Sequence, residues 1–66
     1  MNLTVLAHQS FGGLGCPQIL RSEEGRIFVV GKVLNEEEKG EIANVGEGED
    51  VVEISSSLLR EIEGKV

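Results

Sequence analysis

Neither tryptophan nor tyrosine occurs in the 66 residues; cysteine, histidine, proline and methionine occur once each, and phenylalanine twice, as Phe11 and Phe28. A single cysteine excludes an internal disulfide, and Cys16 with His8 falls short of the four ligands of a structural zinc site. Cations are scarce too, six Lys and Arg against twelve Asp and Glu, for a net charge of −6. Such a chain repels phosphate backbones unless its cations gather on one face, and it lacks the aromatics on which single-stranded bases stack. No apolar run approaches the ~20 residues of a membrane-spanning helix, and "MNLTVLAHQS" shows neither a basic leader nor a signal-peptide core. The expectation is a cytoplasmic protein with a reduced thiol, no cofactor, no metal and no membrane attachment.

What is present is Leu, Ile and Val in short runs, enough for one small domain over residues 1–66. A chain of this size buries only about 60% of its unfolded surface, and its core supplies roughly 3–5 kcal/mol net. With no disulfide or metal to add to that, a homo-oligomer or a protein partner is expected.

Leu3, Val5 and Ala7 alternate with Asn2, Thr4 and Leu6, which reads as a strand over 2–7. Three glycines in positions 12–15 then form a loop. In "CPQILRSEEGRIFVVGKVL" two β-rich runs flank Ser22-Glu23-Glu24-Gly25. Ser22 suits the first position of a type I turn and Gly25 the left-handed position of a bulged hairpin. The second strand, Arg26 to Leu34, is apolar on both faces, which suggests a central strand, and Gly31 inside it suggests a bulge or close backbone packing. Asn35 with Glu38 forms a capping box for a helix or helical turn near 36–45, ending at Gly46. Val51, Val52 and Ile54 form a further strand. Ser55 to Ser57 can cap a last helix with Leu58, Leu59, Ile62 and Val66 on one face and Glu61 paired with Lys65. The fold expected is α+β: a small antiparallel meander of three to four strands, the turn near 36–45, and a carboxy-terminal helix on the sheet.

Over residues 16–62 the sequence resembles small acidic actinobacterial proteins of unknown function. The resemblance rests on Cys16-Pro17, Gly25, Phe28-Val29-Val30-Gly31, Val52-Glu53-Ile54 and Leu58-Leu59. Proteins of that kind are often encoded beside helix-turn-helix regulators, so the resemblance implies an accessory, antitoxin-like partner and brings no catalytic residues. "VVEISSSLLREI" is also similar to the passage from strand to helix in swapped-hairpin transition-state regulators, which are dimeric DNA binders. Their basic amino-terminal strand has no counterpart here.

No catalytic constellation is complete. Cys16 is a candidate reactive thiol, but His8 lies eight residues away with no third residue to orient it, so a redox switch is the furthest reading it supports. "GGLG" is not followed by the Gly-Lys-Ser/Thr of a phosphate loop. The acidic residues Glu36, Glu37, Glu38, Glu41, Glu47, Glu49 and Asp50 stand against Lys39 alone, without the spacing of a calcium loop. They suit steering toward a basic partner. Arg21, Arg26 and Lys32 form the candidate basic patch of the alternative, a DNA-binding regulator. The function expected is a non-enzymatic interaction module serving a transcription regulator. On this reading Val29→Asp or Leu59→Asp unfolds the chain, while Cys16→Ser shifts thermal melting little.

Overall fold

The computed structural model describes residues 1–9 and 17–66; the glycine loop at 12–15 and Cys16 lie outside them. Among the described residues the architecture is α+β. Strands β1 (Leu3–His8), β2 (Gln18–Ser22) and β3 (Ile27–Val30) form an antiparallel sheet in the order β1-β2-β3. A second, two-stranded antiparallel sheet pairs β4 (Lys32–Val33) with β5 (Val52–Glu53). Helix α1 (Glu36–Gly40) lies between these two strands in sequence, and α2 (Ser56–Arg60) follows them.

The hairpin forms as its turn chemistry dictates. Gly25 donates its N–H to the Ser22 carbonyl at 3.0 Å and adopts φ +87°, while Ser22 donates to the Arg26 carbonyl at 2.9 Å. That is a type I turn with a glycine bulge. Ser22 itself is buried and is satisfied there, its Oγ accepting from the Arg26 amide at 3.1 Å.

Strict alternation does not survive in β1. The register advances from Val5 opposite Leu20 to Ala7 opposite Ile19, leaving Leu6 as an extra residue. This bulge brings consecutive residues to one side, so Leu6 and Ala7 are both buried whereas Leu3 and Val5 are half exposed. Leu6, Ala7, Ile19 and Leu58 are the buried apolar cluster, with Ile54 and Ile62 packed against it. Ile19 is 1% exposed and Leu58 is fully buried. Leu58 thereby docks α2 on the sheet.

Three expectations are corrected. First, β2 is the central strand and β3 an edge: the run from Arg26 to Leu34 breaks at Gly31, and its second part joins β5. The break follows from close packing, because a Cβ on Gly31 would lie 2.5 Å from the Glu53 carbonyl oxygen and 2.9 Å from Ile54 Cγ2. Second, α1 stops at Gly40 instead of running to 45. Ile42 and Val45 remain exposed, so no apolar face is buried to offset the cost of extending a short helix, and Asn44 turns the chain at φ 64°. Third, α2 ends at Arg60 and Gly64 turns the chain away at φ +80°. Leu59 and Val66 are consequently exposed, and Lys65 Nζ donates to the Leu6 carbonyl at 3.0 Å instead of pairing with Glu61.

The burial pattern reassigns the sensitive positions. Val29 is 44% and Leu59 53% exposed, so neither is the anchor that its apolar character suggests. Leu58→Ala is expected to cost about 2–5 kcal/mol, enough to unfold a domain of this size, whereas Leu59→Ala stays within about 0.5 kcal/mol. Gly31→Ala destabilises by steric overlap, while Gly40→Ala, with open space around it, gains about 0.5–1 kcal/mol. Urea melts of the four variants measure all of this; equal melts for the two leucine variants would refute the assignment of the core.

Candidate interaction surface

The acidic segment 36–50 is organised by its own side chains. Asn35 caps α1 by accepting from the Glu38 amide at 2.8 Å, and Glu38 Oε1 accepts from the Asn35 amide at 3.2 Å, which closes the capping box. Glu36, Glu37 and Glu38 occupy the first turn, where the positive end of the helix favours them. The far end is tied back by Lys39, whose Nζ lies 3.2 Å from Asp50 Oδ1. Asp50 also accepts from the Val51 amide at 2.8 Å, and Glu49 Oε1 accepts from the Gly46 amide at 2.7 Å. The Val51 amide first, and then Lys39, hold the Asp50 carboxyl below its ordinary value of 3.8.

The seven acidic residues thus divide into two groups. Glu38, Glu49 and Asp50 shape the segment. Glu36, Glu37, Glu41 and Glu47 are exposed and, among the described residues, their carboxylates accept no hydrogen bond and join no ion pair. They are the carboxylates left to meet another molecule. Among the described residues no group of three or more His, Cys, Asp or Glu side chains is arranged to hold a metal ion, and no helix is long and apolar enough to cross a membrane.

The three basic residues occupy separate places. Arg21 lies opposite Ile27 on the pleat that also carries buried Ile19, and its Nη1 reaches the Lys65 carbonyl at 3.4 Å. Arg26 lies on the opposite pleat, its guanidinium 4.9 Å from the centroid of the Phe28 ring. Lys32 sits on β4, opposite Glu53 in the second sheet. The register therefore gives Arg21 and Arg26 to different faces. His8 is exposed at the end of β1, and Cys16 lies outside the described residues.

One constellation escaped the sequence reading. Gln9 Nε2 donates to Ser57 Oγ at 2.7 Å and to Glu61 Oε2 at 3.3 Å, while Ser55 Oγ donates to Gln9 Oε1 at 2.8 Å. Ser55 Oγ also accepts from the Leu58 amide at 3.1 Å, capping α2. The three serines signalled a cap, but nothing marked Gln9, 46 residues from Ser55, as its partner. These bonds fasten α2 to the end of β1.

No family model, curated protein or solved structure matches this chain. Its surface chemistry is therefore the ground for a functional reading.

Because the Asp50 carboxyl is held low in the folded chain, the stabilisation it brings is fully present above about pH 4 and is lost as pH falls through the lowered value. Following the Asp50 and Val51 signals by NMR during acidification should show the segment opening below the ordinary carboxylate range, and Asp50→Asn should remove that transition. An Asp50 that titrates at 3.8 would contradict the tie.

Proposed function

We propose that the chain is a non-enzymatic protein-interaction module, an accessory, antitoxin-like partner that offers its acidic segment to a basic surface such as the DNA-contacting face of a transcription regulator. The observation that carries this reading is the division of labour within 36–50. A capping box and the Lys39–Asp50 pair fix the backbone, and Glu36, Glu37, Glu41 and Glu47 point no charge back into the fold. A segment already ordered loses little further conformational freedom on docking, and carboxylates clustered at one end steer a cationic partner toward it. Cytoplasmic location fits such a role, and so does the resemblance to small acidic proteins encoded beside regulators. For the DNA-binding alternative the separation of Arg21, Arg26 and Lys32 supplies no continuous basic face.

The test is capture of a basic helix-turn-helix protein by the immobilised chain at low salt, followed by elution in a salt gradient. Binding should fall away between about 0.15 and 0.5 M salt as the Debye length shortens. Replacing Glu36, Glu37, Glu41 and Glu47 by Gln should abolish capture while thermal melting shows the fold retained. Capture that persists unchanged in that variant, or is indifferent to salt, would refute the proposal.

A further inference from the structure

Beyond α2 the chain turns back onto the sheet. Glu61, Ile62 and Glu63 donate their amides to the Leu58, Leu59 and Arg60 carbonyls, Gly64 reverses the backbone at φ +80°, and the Lys65 amide closes the turn on the Ile62 carbonyl at 2.9 Å. These backbone bonds are all local. What joins the segment to the sheet is a small set of side-chain contacts. Ile62 packs against the buried cluster, and Gln9 Nε2 reaches Glu61 Oε2 at 3.3 Å. Lys65 is engaged twice: its Nζ donates to the Leu6 carbonyl at 3.0 Å, and its own carbonyl accepts from Arg21 Nη1 at 3.4 Å. Strands β1 and β2 each hold one side of this residue.

The cations are used here in an uncommon way. The chain has six Lys and Arg for twelve Asp and Glu, yet among the described residues neither Lys65 nor Arg21 joins an ion pair. Each is spent on a backbone carbonyl, the sheet reaching for the segment and the segment for the sheet. Hydrogen bonds from charged donors are about twice as strong as neutral ones. The target of Lys65 also matters, because Leu6 is the extra residue of the β1 bulge and has no partner on β2.

We infer that residues 61–65 are a strap, closed over the β1 bulge with Lys65 as its clasp, which opens as a unit while the three-stranded sheet stays paired. The inference does not rest on the role of residues 36–50. A single helical turn is unstable by itself, so the closed state depends on Ile62 and on the two bonds of Lys65, whereas β1, β2 and β3 are held by ladders along their length. Segments with few buried apolar contacts and exposed hydrogen bonds open at the lowest free energy in a fold. Opening lifts Ile62 from the cluster and frees the Leu6 carbonyl, while α2 stays docked through Leu58 and its Ser55 cap. Gly64 makes closure possible: a Cβ there would meet open space, so a side chain at this position acts only through the strain of a positive φ.

Backbone amide relaxation and amide exchange, measured by NMR on the full chain, test the strap. In the unaltered chain the Glu63 and Lys65 amides should have order parameters near about 0.85, and in Lys65→Met the amides of both positions should fall below about 0.6. Gly64→Ala should loosen the same residues from the backbone side, and Lys65→Arg, which keeps a cationic donor, should hold them ordered. In all three variants exchange at the β2 and β3 amides should change less than about twofold. A segment already below about 0.6 in the unaltered chain would overturn the inference, as would one that stays rigid in Lys65→Met. So would a Lys65→Met chain that fails to fold, or whose β2 and β3 amides lose protection together with the segment, because 61–65 would then belong to the core unit. None of these outcomes depends on capture of a basic partner through the acidic segment.

Discussion

The burial of Leu58 and Ile19 in one cluster is the constraint on which the rest of the structure depends. Of the described residues these two large side chains are sealed almost wholly from solvent, and they belong to opposite ends of the sequence. Everything between residues 31 and 55 is fastened to the amino-terminal sheet by Gly31 at one end and by Leu58, through Ser55 and Gln9, at the other. A core so small cannot specify position by volume alone, and directional bonds supply what is missing. The serine cap, the Gln9 amide and the Lys65 ammonium each fix an orientation that apolar packing leaves free.

Charge is distributed on the same plan. The three-stranded sheet carries no carboxylate, and the acidic residues crowd the connector between β4 and β5 and the two tight turns at the ends of the chain's hairpin and last helix. The connector is solvated on every residue from 40 to 50. Mutual repulsion there is tolerated because water screens it and because Lys39 sits among the carboxylates as the local counter-charge. The result is a molecule whose three-stranded sheet is free of carboxylates and whose connector concentrates them, so that long-range attraction of a cation is directed to the connector.

Local chemistry was legible in the sequence, and long-range chemistry was not. The type I turn with Gly25, the capping box of Asn35 and Glu38 and the Ser55 cap are set by residues within four positions of one another, and all three stand as read. The requirement for glycine at position 31 was legible as close packing, though not the identity of the Glu53 carbonyl that causes it. What could not be read was how far each pattern would continue. β1 alternates in sequence, but a bulge turns Leu6 and Ala7 to one side. Leu58 and Leu59 look equivalent, and only the direction of approach of α2 decides which is covered. The fate of a carboxylate is similarly hidden: seven look alike in the acidic run, and three of them are consumed by backbone amides or Lys39.

The staple between Lys39 and Asp50 has a consequence for how this chain can be altered. It brings together the two ends of the stretch from 40 to 49, so that stretch behaves as a closed appendage whose length is uncoupled from both sheets. Doubling a flexible loop adds only about 0.6 kcal/mol of closure entropy. A change in the length of that stretch is therefore a small cost to the two sheets it joins.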